Sequence, residues 1–435
     1  MTKNYTLLSI KEYIKSINSN NLLLSIILLT LPLKNIYISI ATILFIMLTL
    51  FFNEGIKNIS KTYYLPLALF LMMSLSLLWS YDVERSFHGL QKQLSFFFFP
   101  IAFFLLPKLN RESLLKTLRV YGFGMVFLAI YYLINALLRY SVTHDTSVFF
   151  HTELVPDDPG AIYISVFASL AFFYFVQIQQ KNLVEKIATL ILVLLIFLLS
   201  SKSIITIDFI IIICYYIFFV SIPSGTKAIT ILSVSAFLFF SILFVKEVRE
   251  RFLIEYETAF IDNTVNSKLT KNEQNIFNVS INEAWTKDDF HRNSFFPGTA
   301  LRVYQFRNFL EILDEQKFFF KGFGLEASQD FIKSKAQEHN VDPRYGEYNF
   351  HNQYLQTFAD LGVFGFLILV LMLVINFKNA LQHKDFLHIA FSITMIMLFL
   401  SESFFCRQRG ITFFIILYCL FNAVSFEEKG ELKLL

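Results

Sequence analysis

The stretch Asn349-Phe350-His351-Asn352-Gln353-Tyr354-Leu355-Gln356 puts a histidine at the mouth of an expected helix, just ahead of a long apolar run. A helix N-terminus carries partial positive charge that disfavours an imidazolium, so His351 reads as a proton acceptor. The same end offers free N–H groups to an anion. The alternative is a polar residue that only solvates the helix end. Arg302 is the second candidate, in the first turn of an expected helix over 300–316. There the dipole opposes a cation by roughly 0.3–1 kcal/mol, and an anionic ligand would give the arginine a reason to be there. A solvated surface arginine is the alternative. Arg307 lies roughly 140° further round that helix, so the two do not form one clamp.

A third candidate is Lys202 in Ser200-Ser201-Lys202-Ser203, a hairpin between two apolar runs with Asp208 about two turns deeper. A cation at a membrane surface suits a lipid-linked phosphate; equally, Lys202 snorkels or pairs with Asp208. Asp208 and Glu402, lone acids inside apolar runs, read as helix-packing hydrogen-bonders or proton carriers. No P-loop, dinucleotide-binding glycine pattern or nucleophile elbow occurs, and the eight histidines never fall in a His-x-x-x-His pair. No metal site and no cofactor are expected.

These residues need a scaffold, and composition names its solvent. Of 435 residues 55% are hydrophobic and only 16% charged, where a soluble chain would have about a quarter charged. The chain reads as an all-α polytopic membrane protein. Apolar runs fall at 21–33, 36–52, 63–80, 94–107, 120–138, 160–177, 187–200, 203–220, 228–245, 362–377, 386–404 and 411–425, twelve in all. The first two are separated at Pro32, Lys34 and Asn35. The polar first twenty residues, followed by no small-residue cleavage pattern, read as an uncleaved anchor. With twelve spans, the side that holds both termini collects sixteen Lys and Arg, against seven in the short loops opposite. Both termini are therefore expected in the cytoplasm of a bacterium.

Residues 246–361 do not belong in a bilayer, since they hold 14 Lys and Arg and 18 Asp and Glu. The expected organisation is a bundle over 1–245, a large periplasmic loop over 246–361, and a final bundle segment over 362–435 with a short cytoplasmic tail. Within the loop, Asp262 to Ser294 is polar and sparsely aromatic and reads as an irregular, mobile loop; 300–316 and 352–361 read as amphipathic helices. A total charge of +3 without a run of five like charges makes nucleic acid an unexpected partner. Three cysteines in or beside apolar runs give no disulfide framework.

His351-Asn352-Gln353-Tyr354-Leu355, followed by Phe358-Ala359-Asp360-Leu361-Gly362-Val363-Phe364-Gly365, resembles the signature of the O-antigen ligase and polymerase superfamily. The helix that begins near Arg302 and ends at Phe318-Phe319-Phe320-Lys321-Gly322-Phe323-Gly324 resembles that family's Arg-to-Gly-x-Gly element. Lys202 stands where the family usually has an arginine, and a lysine lacks the bidentate fork. The resemblance implies an inner-membrane, metal-independent, inverting glycosyltransferase. It would take a glycan from undecaprenyl pyrophosphate at the periplasmic face and pass it to lipid A-core, or to a growing glycan in a polymerase. In that reading Arg302 and Lys202 hold the pyrophosphate, His351 orients or deprotonates the acceptor hydroxyl, Asn352 contacts substrate, and Tyr354 packs on a sugar ring. A transporter or flippase is the reading from another class, although it would favour several charges within spans and matched halves. A scaffold subunit of a polysaccharide assembly is a third.

Overall fold

The structure is a computed structural model that describes residues 17–424, apart from 53–54, 56–59, 108, 157–159, 267–274 and most of 222–255. The expected ninth span at 228–245 and the N-terminal anchor lie largely outside the described residues. The chain is mostly helical. α1 (Ile17–Thr30) and α2 (Asn35–Phe52) are separate helices, broken where Pro32 lacks the N–H that a continuous helix needs. α3 (Tyr64–Ser76), α4 (Val83–Lys92), α5 (Ser95–Leu105), α6 (Arg111–Thr143), α7 (Ala161–Val176), α8 (Leu183–Leu199) and α9 (Lys202–Phe218) follow.

Short polar residues set where these helices begin. Asp82, Asn110 and Asn182 accept from the backbone N–H three residues on, and at Asn182 the Glu185 carboxylate returns the bond to the cap. Phe96, Phe99, Phe103, Phe167 and Phe173 are wholly buried between the helices. α6 and the later helix Gln353–His383 are long and apolar enough to cross a membrane; five further apolar helices are shorter. α4 is an element the sequence reading lacks. It is short and mostly polar, and its Gly89 lies against Leu325 and Glu326 of the loop segment.

The stretch Asp262 to Ser294, expected to be irregular, contains structure. Strands β1 (Thr264–Val265), β2 (Phe277–Asn278) and β3 (Ser294–Phe295) form a small sheet in that order, antiparallel and then parallel. α10 (Ile281–Thr286) starts at a reciprocal cap between Ser280 and Glu283. Phe290 and Phe296 are buried against Tyr304 of α11 (Gly298–Gln316), which supplies the apolar partners that local composition does not reveal. α12 (Gln329–Glu338) completes the segment.

α13 (Gln353–His383), α14 (Phe386–Leu398) and α15 (Gln408–Ala423) close the bundle. A buried polar knot joins all three: Asn376 donates to Ser392 (2.8 Å), while its oxygen meets His388 Nε2 (2.9 Å) and accepts from Asn422 (2.8 Å). α13 is two helical pieces that meet at Gly362, whose φ of 68° and ψ of −168° are not helical. The Phe319–Gly324 turn stitches this break. Phe323 N–H donates to the Ala359 carbonyl (2.8 Å), Gly324 N–H to Asp360 (3.0 Å), and Val363 N–H to Phe319 (2.8 Å). Gly322 (φ 70°) and Gly362 meet face to face, so a Cβ on Gly322 would strike the Asp360 carbonyl and one on Gly362 the Phe320 carbonyl.

The turns of the bundle sort into two ends. At one end, Tyr81 N–H donates to Phe323 (3.0 Å), Trp79 Nε1 to Lys321 (2.9 Å), and Arg85 and Lys92 meet Asp330 (3.1 Å) and Glu326 (2.7 Å). Arg409, wholly buried at the start of α15, reaches Asn35 (3.2 Å) in the α1–α2 turn at this same end. At the other end, Arg111 faces Asp385 (3.6 Å) and Leu109 bridges to Val424.

Two outcomes follow. Gly362→Ala should lower stability by roughly 2–4 kcal/mol, from left-handed backbone plus the Phe320 clash. Gly160→Ala shares the positive φ (73°) with open space around it and should cost only about 1–2 kcal/mol. Thermal unfolding of detergent-solubilised protein compares the two, and equal losses would remove the stitch from the account. His339, buried with Nδ1 3.2 Å from the Tyr304 hydroxyl and Nε2 3.3 Å from Glu311, is pushed below the ordinary histidine pKa by burial, with Glu311 opposing. The unfolded chain then takes up the proton first, so stability falls as pH drops through about 6.5. His339→Gln should flatten that limb of the pH–stability curve.

Candidate functional site

The site forms where α13, the α14–α15 connection and the start of α11 meet. α14 ends at Leu398, so Glu402 is not inside a span as the apolar run 386–404 suggests; it lies in the connection before α15. Arg302 reaches into that connection. Its Nε donates to the Ser401 carbonyl (2.9 Å), one Nη to Gly298 (3.1 Å) and the other to Glu402 Oε1 (3.1 Å). The second Glu402 oxygen lies 3.8 Å from His351 Nδ1, an electrostatic contact longer than a hydrogen bond. One carboxylate therefore sits between the two residues singled out from sequence. Arg307 turns away as its helical angle requires and pairs with Glu311 (2.6 Å) and Asp288.

His351 occupies the left-handed region (φ 47°), which costs a non-glycine residue about 1–2 kcal/mol. Its neighbours hold it there. Asn349 Oδ1 accepts from the His351 N–H (2.9 Å), and Ser403 Oγ accepts from the Asn352 N–H (3.1 Å). Asn352 caps α13 by accepting from Leu355 N–H (3.1 Å), and its amide donates to the Leu400 carbonyl (3.2 Å). Gln353 N–H is taken by Phe399 (2.8 Å). The N–H groups expected to await an anion are thus largely engaged. Asn352 is the joint that fastens α13 to the α14–α15 connection.

His351 and Glu402 line a cavity of about 390 Å³, together with His151, Tyr163, Tyr348, Ser403, Cys406 and Arg407. His151 shares the left-handed conformation of His351 (φ 51°). Arg302 stands behind this wall and touches it through Glu402. Lys202 does not line it, but its hairpin adjoins it: His151 Nδ1 lies 3.1 Å from the carbonyl of Leu199. Asp208, about two turns deeper, accepts from Ser169 at Oδ2 (2.6 Å). Tyr354 faces α14, donating to the Ile396 carbonyl (3.0 Å) with its ring against Phe399; it is not in the cavity wall. Sequence reasoning does not single out Arg407, and it takes Glu402 only as a helix-packing hydrogen-bonder or proton carrier inside an apolar run, not as a neighbour of His351 and Arg302. The signal was present as acid and base beside the start of the last apolar run, in a chain where such residues are scarce.

Residues 187–370 match the family model described as O-antigen ligase. The chain carries a domain of the O-antigen ligase superfamily. No curated protein matches it. The O-antigen ligase match contains Lys202, Arg302, His351, Asn352 and Tyr354, while Glu402 and Arg407 lie beyond it. The superfamily assignment gives a coarse function, a membrane protein of lipid-linked glycan ligase or polymerase type.

Arg302 and Glu402 are partly exposed, so their coupling should be modest, about 1 kcal/mol in a double-mutant cycle of Arg302→Ala and Glu402→Ala read by thermal unfolding. Additive losses would mean that the contact contributes nothing.

Proposed function

We propose that this protein is an inverting, metal-independent glycosyltransferase of the inner membrane that moves a glycan from undecaprenyl pyrophosphate to a hydroxyl of lipid A-core at the periplasmic face. The observation that carries this reading is that His351 and Glu402 share one cavity wall while Arg302 holds the same carboxylate from behind it, the three coming from separate elements. Glu402 facing Nδ1 favours the tautomer with its proton there, leaving Nε2 to accept one. As the acceptor oxygen attacks the anomeric carbon, His351 takes its proton, and the bond from that carbon to the pyrophosphate oxygen breaks from the opposite side. Arg302, Lys202 and Arg407 supply positive charge toward the departing pyrophosphate.

The proposed organisation is twelve spans, with a bundle over 1–245, a periplasmic loop over 246–361, a final segment over 362–435 and both termini cytoplasmic. Two observations support it. Turns that contact the loop segment alternate along the chain with turns at the opposite end, and the site lies at the loop-bearing end. Asn352 and Tyr354 enter this reading as residues that position His351 and pack α13.

Purified protein with a labelled lipid-linked glycan and lipid A-core tests the chemistry. His351→Ala and Arg302→Ala, each confirmed folded, should lower turnover by 10²-fold or more; retained turnover in both overturns the site. Cells lacking the protein distinguish the acceptor. Long glycan stranded on the carrier supports a ligase, lipid A-core bearing single units indicates a polymerase, and no change in either removes both.

A further inference from the structure

A second cavity of about 320 Å³ adjoins the first, and the two share Glu347, Asn349 and Cys406 in their walls. We propose that this second cavity is the subsite for the acceptor's saccharide, an inference that rests on the transferase reading above. Its size falls in the ordinary range for small-ligand sites, roughly 300–1,000 Å³, but its lining is unusual for one. Apart from the Cys406 thiol, every side chain in it is charged or an amide, with no aromatic or aliphatic group. A lipid tail has nothing to bury against there.

The charges also argue against a phosphate. Arg85 and Lys333 are matched in the wall by Glu326 and Glu347, and each is already engaged: Arg85 with Asp330 (3.1 Å), Lys333 with Glu347 (3.0 Å), and Glu326 with Lys92 (2.7 Å). An anion would have to displace these carboxylates. Sugar hydroxyls both donate and accept, so a neutral saccharide inserts among such pairs without leaving a charge unpartnered.

Position supplies the second argument. The partition between the cavities is the segment that runs from Glu347 through Asn349 to His351, and Asn349 bonds the His351 backbone directly (2.9 Å). On one side lie His351 with Glu402 facing its Nδ1, and Arg407, whose charge suits a departing anion; on the other lies the uncharged-polyol chemistry just described. Two substrates that must meet at one histidine are held by two rooms either side of the segment that carries it.

Lys333 stands on α12 with its side chain substantially exposed, so Lys333→Ala should fold normally. With lipid-linked glycan as donor and lipid-free core oligosaccharide as acceptor probe, Lys333→Ala and Glu326→Gln should each raise the acceptor KM about tenfold and leave the donor KM within about twofold. An unchanged acceptor KM, or an equal rise in both, overturns the assignment. A binding measurement separates this from failure of the transferase reading. Saturation-transfer NMR of the same oligosaccharide on His351→Ala protein should show contact that Lys333→Ala abolishes, whether or not the wild type turns over. Contact that survives Lys333→Ala, or displacement of the saccharide by inorganic phosphate at comparable concentration, counts against the proposal.

Discussion

A helix broken inside an apolar environment leaves backbone groups that must find partners, because neither lipid nor a packed bundle offers water to satisfy them. At Gly362 those partners come from Phe319, Phe323 and Gly324, and much of the outer architecture follows from that exchange. The turn that supplies them is in turn bonded to Trp79 and Tyr81, and its Phe318 and Phe323 rings pack into the cluster that holds Phe309, Ile332 and Phe350. The first half of α13 is thereby fixed against α11 and α12. His351 stands at its mouth, so the placement of the histidine is set some eleven residues away by where the helix is allowed to bend.

Much of this was legible because helix formation and burial leave periodic traces. The break at Pro32, the helix behind Pro297-Gly298 and the glycines of the α13 signature all announce themselves through residues whose backbone preferences are narrow. Features made by distant partners leave no such trace. β1, β2 and β3 have two residues each, and Phe290 and Phe296 are buried only because Tyr304 comes back to them. α4 reads as a polar connection until Leu325 and Glu326 are seen against Gly89.

The site shows the same division. His351 and Arg302 are conspicuous by type and position. Glu402 is hidden by its apolar neighbours, since a hydropathy run does not mark where a helix stops and Leu398 is followed by three residues before the carboxylate. Tyr354 shows how far one turn of helix can carry a side chain: it is near His351 in sequence, but its ring packs against Phe399 and its hydroxyl reaches the Ile396 carbonyl. Cross-chain ion pairs such as Arg85 with Asp330 and Lys92 with Glu326 are exposed enough to contribute little individually, so the apolar cluster around Phe323 does more to hold the segment in place.

The bonds between Trp79 and Lys321 and between Asn35 and Arg409 join residues hundreds of positions apart. Synthesis is vectorial, and contacts so remote in sequence close late. The early helices must therefore form while the turns between them wait for partners not yet made. Glu402 and Arg407 follow His151 and His351 in chain order, so the cavity wall that these residues share is completed last. A nascent chain that stalls before α14 would hold the histidine and both glycine turns yet lack the Glu402 and Arg407 side of the cavity, so the cavity exists only in chains whose last helices have been delivered.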